Sequence, residues 1–478
     1  MQIDTQLEPA DLRPAIDRVF ALASDKVRLL EREWDTSKGT PVFTVNGKYT
    51  TRGWTEWTQG FQYGCAIFAY DATDDTQLLE LGKQHTLRDM APHVTHVGVH
   101  DHGFNNLSTY GNLRRLMHEG RLPHNEWENH FYELAIKASG AVQAARWTEL
   151  PIQSWSGRER DNVLHDLGLA MGYIRSFNGP HSLFIDTMRS LRSLGLAHQL
   201  GHVLMGEGDS RISLLERAIL HALTTANYII FFGDSGHTYD VRGRTAHEGV
   251  FNLTDGRFRC RSTQQGYSPF STWTRGLAWA MLGYAEQLEF LKTCKPNEFS
   301  RMGLVKKHVL QRFEQAARDT CDHYIDDVST TDGITYWDDG APNLHKLGDW
   351  RNAPADPYND YEPVDASASA IAAQGLIRFG NYLNSGGGKT KGKRYLQAGL
   401  SVARTLFDEP YLSTKKTHQG LLLHSIYHWP NGWDHVPRSR KVACDESSMW
   451  GDYHLLELAN TIKRMGDGGP YPTFFDNA

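Results

Sequence analysis

The stretch STWTRGLAWAMLGYAEQLEFLK, residues 271–292, determines the class of fold. Its large apolar residues recur at the spacing of one helix face: Trp273, Leu277, Met281, Tyr284, Leu288 and Leu291. An equivalent stripe follows residues 11–34. By the same pattern, further helices are predicted to start near Phe61, Thr76, Asn106, Trp127, Phe184, Ile212, Leu304, Ala366, Lys393 and Ser448. The periodicity therefore predicts about a dozen helices in an all-α chain.

Short strands are predicted at only a few places. PVFTVNGKYT (41–50) carries Asn46-Gly47, which is typical of a tight hairpin, and GRFRCRSTQQG (256–266) is the second strand-like piece. The helical segments DTQLLELG (75–82) and ISLLERAI (212–219) echo each other, as expected for a helical array or a closed toroid of helical hairpins. No stretch has the composition of a linker, so residues 1–478 are expected to form a single domain.

Composition and charge exclude some classes of function. The 478 residues are 40% hydrophobic and 22% charged, with a net charge of −6 and no basic block, which argues against a nucleic-acid partner. The most apolar run, residues 218–232, includes His, Asn and two Thr, so a buried helix is predicted and not a membrane span. No signal peptide is visible. A cytoplasmic location is expected, or a periplasmic or secreted one if such a peptide has been removed.

The cysteines give no sign of a metal centre. Five are scattered along the chain, with no CxxC pair and no local Cys/His cluster: Cys65, Cys260, Cys294, Cys321 and Cys444. Reduced thiols are therefore expected, without a zinc site or a disulfide framework. No metal and no other cofactor is expected.

Glycan hydrolysis suits a helical toroid, because helix N-termini and loops converge on its central cavity. The chemistry requires a carboxylic acid that donates a proton and a second carboxylate a few ångströms away. Four stretches place carboxylates or anion-binding groups among aromatic residues, His and Gly: residues 53–64, 95–106, 178–197 and 245–287. Asp101 and Asp186 are the carboxylates of the second and third stretches.

Seven motifs in order resemble the unsaturated glucuronyl hydrolases, glycoside hydrolase family 88. They are Trp57–Phe61, His100–Phe104, Asp186–Met188, His247, Gln265 through Ala280, DASASAIAA (365–373) and WGDYHLLE (450–457). Each motif alone is weak, but their order and most of their spacings agree from about residue 54 to residue 465. The resemblance implies an (α/α)6 barrel.

Two similar motifs, HDHGF (100–104) and HDLGL (165–169), are candidates for one catalytic position. The family resemblance favours Asp101, because HDHGF keeps the terminal Phe of the motif. Asp166 lies in a stretch, roughly 147–171, that resembles an insertion. Twenty residues separate Asp166 from Asp186, enough for one helix and its turn, so spacing alone leaves Asp166 open.

The resemblance implies a substrate and a role for each residue. The substrate is a small oligosaccharide with a terminal Δ4,5-unsaturated uronate, produced by a polysaccharide lyase. Asp186 would protonate C4 and then act as base toward water, its pKa raised by apolar neighbours. Asp101 would be the second carboxylate, with His100 orienting it. The other implied ligands are Arg275, Gln265 and His247 for the substrate carboxylate or hydroxyls, and Trp57, Trp273 and Trp279 for stacking walls.

Two other functions fit parts of the pattern. A hydrolase or isomerase on the same barrel would act on saturated sugars, at the anomeric carbon in the case of hydrolysis. A non-catalytic glycan-binding toroid would need the aromatic walls and Arg275 but not the paired carboxylates. The pair Asp101 and Asp186 favours catalysis.

Overall fold

Six buried helices form a closed ring in the computed structural model, which describes residues 1–478 except 54–56, 151–170, 387–389, 470–471 and 476–478. Each contacts the next around the ring, and the last returns to the first. In ring order these inner helices are α2 (Gln59–Thr73), α5 (His102–Asn106), α8 (Thr187–Ser190), α11 (Thr274–Thr293), α14 (Ala366–Ser385) and α16 (Met449–Gly466). Helix α5 continues through a π turn into α6 (Asn112–His118), and α8 continues into α9 (Arg192–Gln199).

Six further helices pack outside the ring and return the chain to its starting end. They are α1 (Arg13–Glu33), α3 (Thr76–Asp89), α7 (Glu126–Ala145), α10 (Leu214–Tyr228), α13 (Lys306–His323) and α15 (Lys393–Leu406). Two short helices, α4 (Ala91–Val94) and α12 (Pro296–Arg301), lie in the connections. The arrangement is the predicted (α/α)6 barrel.

Inner and outer helices differ in how their apolar residues are distributed. Helix α11 is buried on nearly all sides, whereas α1 has one buried and one exposed face. Small residues allow the inner helices to approach closely. A Cβ added to Gly283 of α11 would lie 2.6 Å from the Met188 carbonyl carbon, and one added to Gly375 of α14 would lie 2.8 Å from the Leu282 nitrogen.

Nine short strands form four small antiparallel sheets in the described part of the chain. The pairs are β1 (Phe43–Val45) with β2 (Lys48–Thr50), β3 (Trp147–Leu150) with β4 (Met171–Ile174), and β6 (Leu204–Met205) with β7 (Arg211–Ile212). The third sheet has the order β5 (Ser182–Phe184), β8 (Glu248–Phe251), β9 (Phe258–Ser262). Asn46 and Gly47, with φ of 51° and 75°, form the predicted tight turn between β1 and β2.

Two predicted helix starts differ from the structure. The helix expected near Phe184 begins at Thr187, because residues 182–184 pair as a strand with β8. The helix expected near Asn106 begins four residues earlier, at His102. A short apolar run is compatible with a strand or a buried helix, so periodicity could not separate the two.

All six inner helices begin at the same end of the barrel. The sequence motifs lie at these starts: Asp101 precedes α5, Asp186 precedes α8, Trp273 precedes α11, and Asp365 precedes α14. The fold therefore gathers side chains from distant parts of the sequence around one opening. None of the helices in the described ranges is both long and apolar enough to cross a membrane.

Candidate active site

Asp101 and Asp186 lie at neighbouring helix starts that are in direct contact. The backbone N–H of Gly103 in α5 donates a hydrogen bond to Ser190 Oγ in α8 at 2.7 Å. Gly103 has no space for a side chain, since a Cβ there would lie 2.6 Å from the Ser190 Cα. Asp101 is 8% exposed and Asp186 is 7% exposed. The close packing of the two helices thus brings two buried carboxyl groups to one place.

His247 is held against Asp186 by the small sheet. Strand β8 begins at the residue after His247 and pairs with β5, and the Ile185 N–H donates to the His247 carbonyl at 3.0 Å. The ring nitrogen Nδ1 of His247 accepts a hydrogen bond from the Gln264 N–H at 3.0 Å. Because Nδ1 is an acceptor, the proton of the ring lies on Nε2, which faces Asp186 Oδ2 at 3.4 Å.

The two carboxyl groups have pKa values shifted in opposite directions. Burial raises the pKa of Asp101, and the charge of Asp186 raises it further, against the opposing effect of His100. Burial alone would also raise the pKa of Asp186, but the neighbouring His247 outweighs it and lowers this pKa. The expected elevation of the Asp186 pKa is therefore wrong for the free site, because Leu183, Phe184 and Met188 are not its only neighbours.

His100 lies beside Asp101 but does not hold it tightly. Its Nε2 is 3.7 Å from Asp101 Oδ1, which is an electrostatic contact and longer than a hydrogen bond. The ring lies face to face with Phe177 at 6.2 Å, and Phe177 is 58% exposed. His100 thus lies next to Asp101, under an aromatic residue that reaches the surface.

Arg275 is not available as a direct ligand of a substrate carboxylate, which corrects its predicted role. Its Nη1 donates to Asp365 Oδ2 at 2.6 Å and also to the carbonyl of Ile426. Its Nη2 donates to Gln265 Oε1 at 2.9 Å and to the Tyr427 carbonyl at 2.6 Å. All four Nη hydrogens are therefore used, and the side chain is 1% exposed. Arg275 instead fixes Gln265 and the 426–427 loop beside the site.

The three predicted tryptophans have three different environments. Trp57 is partly exposed and stacks on Trp450 with ring centroids 4.9 Å apart, so it fits the expected wall. Trp273 is buried with its ring 4.6 Å from that of His247, which it supports. Trp279 is 1% exposed and packs against Phe104 at 4.8 Å. Trp279 is therefore a core residue, and its prediction as a stacking wall is wrong.

The loop SIYHWPNGWDH (425–435) contributes aromatic residues that the sequence analysis missed. Tyr427 contacts Trp450 in a tilted geometry at 5.0 Å and Trp433 edge-on at 5.3 Å, and the Arg52 guanidinium lies 4.2 Å above Trp433. Burial, with the charges of Arg275 and His247, lowers the pKa of His428 to about 4. The alternation of aromatic residues with Gly432 and Asp434 was the available signal. Asp166 lies outside the described residues.

Comparison with known proteins agrees with this geometry. No family model matches the chain. It is 26% identical over 472 residues to the unsaturated chondroitin disaccharide hydrolase of Streptococcus pyogenes, covering 97% of this chain and 94% of that protein. It is 25% identical over 407 residues to the unsaturated glucuronyl hydrolase of Formosa agariphila, covering 84% of this chain and 78% of that protein.

Solved structures of the same type have the same fold. The unsaturated glucuronyl hydrolase of Bacillus sp. GL1 superposes with a TM-score of 0.66 at 20% identity, covering 97% of this chain and 99% of that one. An unsaturated glucuronyl hydrolase specific for heparin superposes with a TM-score of 0.68 at 18% identity, covering 96% and 100%. The predicted barrel and the resemblance to unsaturated glucuronyl hydrolases are both confirmed.

Proposed function

We propose that this chain is an unsaturated glucuronyl hydrolase, which removes the terminal Δ4,5-unsaturated uronate from oligosaccharides left by a polysaccharide lyase. The observation that supports this function best is the pair of buried carboxyl groups, Asp101 and Asp186, at the contact between α5 and α8. A binding toroid has no need of two carboxyl groups of differing proton affinity in one apolar place, whereas acid–base catalysis does.

The reaction begins with the vinyl ether of the substrate. Asp186 gives its proton to C4, and the positive charge that develops at C5 is shared with the ring oxygen. The Asp186 carboxylate then takes a proton from water as the hydroxyl adds to C5, which restores the acid. The hemiketal at C5 opens to a ketone, and the hemiacetal left at C1 releases the remaining sugar. One water is consumed and no bond to the protein is formed.

The proton that starts the reaction belongs to the carboxyl pair. Two buried carboxyl groups whose charges interact retain one proton to a higher pH than an isolated carboxyl group would. In the free site the pKa of Asp101 is raised and that of Asp186 is lowered, so Asp101 has the higher proton affinity of the two. The substrate carboxylate brings negative charge and excludes water, which raises the proton affinity of Asp186. Asp101 as carboxylate then stabilises the cationic transition state.

The uronate carboxylate is received without Arg275. The N-termini of α5, α8 and α11 point their positive dipole ends toward the opening, where they favour an anion. Trp57 and Tyr427 offer aromatic faces to the sugar rings at the rim. The relatives named for chondroitin disaccharide, heparin and glucuronyl substrates support a substrate among the lyase products of glycosaminoglycans.

The test is the ultraviolet absorbance of the conjugated C=C–carboxylate group on a panel of lyase-generated unsaturated disaccharides. We expect the wild type and Asp166→Asn to remove this absorbance, and Asp186→Asn and Asp101→Asn to lose at least about 100-fold in turnover. Asp166→Asn is the matched control, since it makes the same change in the competing motif. Constant absorbance on every substrate, together with cleavage of saturated glucuronides, would establish the saturated-sugar alternative instead.

A further inference from the structure

Three metal-ligating side chains meet at the end of the barrel opposite the carboxyl pair. They are His198 near the C-terminus of α9, Cys294 directly after α11, and Glu298 in the first turn of α12. One nitrogen, one sulfur and one oxygen of these residues all lie within 4.8 Å of one another. Within the described ranges of the chain, no other group of three His, Cys, Asp or Glu side chains meets this condition.

The three side chains combine burial of the sulfur with access from solvent. Cys294 is 6% exposed, while the side chains of His198 and Glu298 are 23% and 28% exposed. His198 Nε2 is 2.8 Å from Glu298 Oε1, and the other carboxylate oxygen accepts a hydrogen bond from the Lys295 N–H at 2.6 Å. Glu298 is therefore held in place by the helix start, with one oxygen directed at the histidine. An ion at this site thus has a buried sulfur ligand, and it reaches the site from solvent past the partly exposed His198 and Glu298 side chains.

We propose that His198, Cys294 and Glu298 bind a divalent transition-metal ion of the zinc class. Tetrahedral zinc binds sulfur at about 2.3 Å and nitrogen or oxygen at about 2.1 Å, so its ligand atoms lie about 3.4 to 3.6 Å apart. Nitrogen and sulfur ligands exclude calcium and magnesium, which require oxygen. Water completes the fourth position.

The metal links helix α9 to the connection between α11 and α12. His198 belongs to one inner helix, Cys294 ends the next, and Glu298 begins the connection that leads to α13. Helix α11 has 20 residues, which separates the cluster from the catalytic end by about 30 Å. The bound ion thus stabilises the end of the barrel opposite the carboxyl pair. It takes no part in the proposed reaction.

Binding of a metal ion at Cys294 requires loss of the thiol proton. A zinc-class ion displaces that proton when it binds the thiolate, and one proton per ion is released to the buffer. The bond formed is metal–sulfur and the bond broken is S–H, with no change of oxidation state.

The experiment uses Zn²⁺ and Co²⁺ alone with the full, untagged chain after treatment with a chelator. We expect one Zn²⁺ per chain by titration calorimetry, and a near-ultraviolet thiolate-to-Co²⁺ charge-transfer band on Co²⁺ addition. At a Zn²⁺ concentration 100-fold above Kd, the Tm of a chain of this length should rise by about 2 to 3 °C. Turnover of unsaturated disaccharides should be the same with and without Zn²⁺.

Two variants and one control separate this site from adventitious binding. Cys294→Ser and His198→Gln should each weaken Zn²⁺ binding by more than about 10-fold, and Cys294→Ser should abolish the Co²⁺ band. Cys260→Ser, which alters the exposed cysteine, should leave both readouts unchanged. Absence of stoichiometric Zn²⁺ binding, or a Co²⁺ band that survives in Cys294→Ser, would overturn the proposal. If Cys294→Ser does not fold, His198→Gln provides the same test through affinity.

Discussion

Proton affinity at Asp186 depends on one histidine. Against the effect of burial, the neighbouring His247 lowers the pKa of Asp186. Removing the imidazole therefore raises this pKa. In His247→Gln we expect the alkaline limb of the kcat/KM profile to move to higher pH, because an acid catalyst with a higher pKa keeps its proton longer. The measurement is kcat/KM against pH on the preferred unsaturated disaccharide.

The control for this profile is His237→Gln. His237 is exposed and stacks on Tyr239, away from the carboxyl pair, so its loss should leave both limbs in place. A profile of His247→Gln that keeps its alkaline limb, or shifts it to lower pH, would contradict the assignment of Asp186 as the proton donor next to His247.

The buried pair Arg275–Asp365 is the second residue-scale feature with a measurable consequence. Both side chains are at most 1% exposed, and their closest nitrogen–oxygen distance is 2.6 Å. Loss of one partner leaves an uncompensated buried charge, so Arg275→Gln or Asp365→Asn alone should lower the free energy of unfolding by about 3–5 kcal/mol. The double variant should lose less than the sum of the two. Denaturant unfolding of all four proteins measures this coupling.

A partly exposed pair provides the comparison. Glu314 and Arg318 on α13 are each 36% exposed, and their variants Glu314→Gln and Arg318→Gln should change stability by less than about 1 kcal/mol. An Arg275→Gln protein of wild-type stability with a greatly increased KM would instead show that Arg275 binds substrate directly.

At the scale of elements, the contact between α5 and α8 determines the separation of the two carboxyl groups that we propose as catalytic. Each Asp directly precedes its helix, so any displacement of one helix start moves its carboxyl group. The contact depends on Gly103, whose position leaves no room for a Cβ beside the backbone of Ser190. A single methyl group there must push the two elements apart, since backbone atoms have no rotamer by which to move away.

Gly103→Ala should therefore reduce kcat about 100-fold, because misplacement of a catalytic group by about 1 Å costs that much. The variant should remain folded by circular dichroism, with a lowered Tm. Gly386→Ala is the matched control, since the nearest atom to its added Cβ would be the Leu383 carbonyl oxygen at 3.6 Å. Wild-type kcat in Gly103→Ala would mean that the two helix starts tolerate separation.

At the scale of the whole molecule, buried ion pairs join inner helices that are far apart in sequence. Arg189 of α8 pairs with Glu457 of α16 at 2.7 Å and also with Glu286 of α11. Asp71 of α2 accepts hydrogen bonds from Arg115 at 2.9 Å and from Arg464 of α16 at 2.6 Å. Closing the ring thus places charges inside it, and these charges have partners on other helices.

The Asp71 cluster predicts how stability depends on pH. Although burial opposes it, the charges of Arg115 and Arg464 lower the pKa of Asp71 from 3.8 to about 2. A lowered carboxyl pKa stabilises the fold above the unfolded value and loses that effect as pH falls toward the folded value. Asp71→Asn should thus cost about 2 kcal/mol at pH 7, and the cost should shrink between about pH 4 and pH 2.

Urea unfolding of wild type and Asp71→Asn at pH 7 and at pH 3 measures this difference. Asp74→Asn is the control on the same turn, because the Asp74 side chain is 79% exposed and its pair with Arg121 contributes little. A cost for Asp71→Asn that is the same at both pH values would show that packing, not charge, accounts for it.

Local patterns in the sequence were sufficient to predict the helices and the order of the motifs along the chain. Apolar spacing follows from the geometry of a helix, so the starts at Thr76, Ala366 and Lys393 are those of the structure. Asn46-Gly47 fixes its turn by backbone conformation alone. Asp101 and Asp186 were predicted from the motifs around them, HDHGF and Asp186–Met188, each of which is contiguous in the sequence.

Only the tertiary structure showed which residues that are distant in sequence contact one another. From the sequence, Arg275 was a candidate ligand for the substrate. In the fold, Asp365 and the 426–427 loop accept hydrogen bonds from its guanidinium. Trp279 lies on a helix buried on nearly all sides, so periodicity could not separate core from cavity. His198 meets Cys294 across 96 positions, although no local Cys/His cluster exists in the sequence. The physical reason is common to all three: local sequence determines each helix, whereas closure of the ring determines which helices face one another.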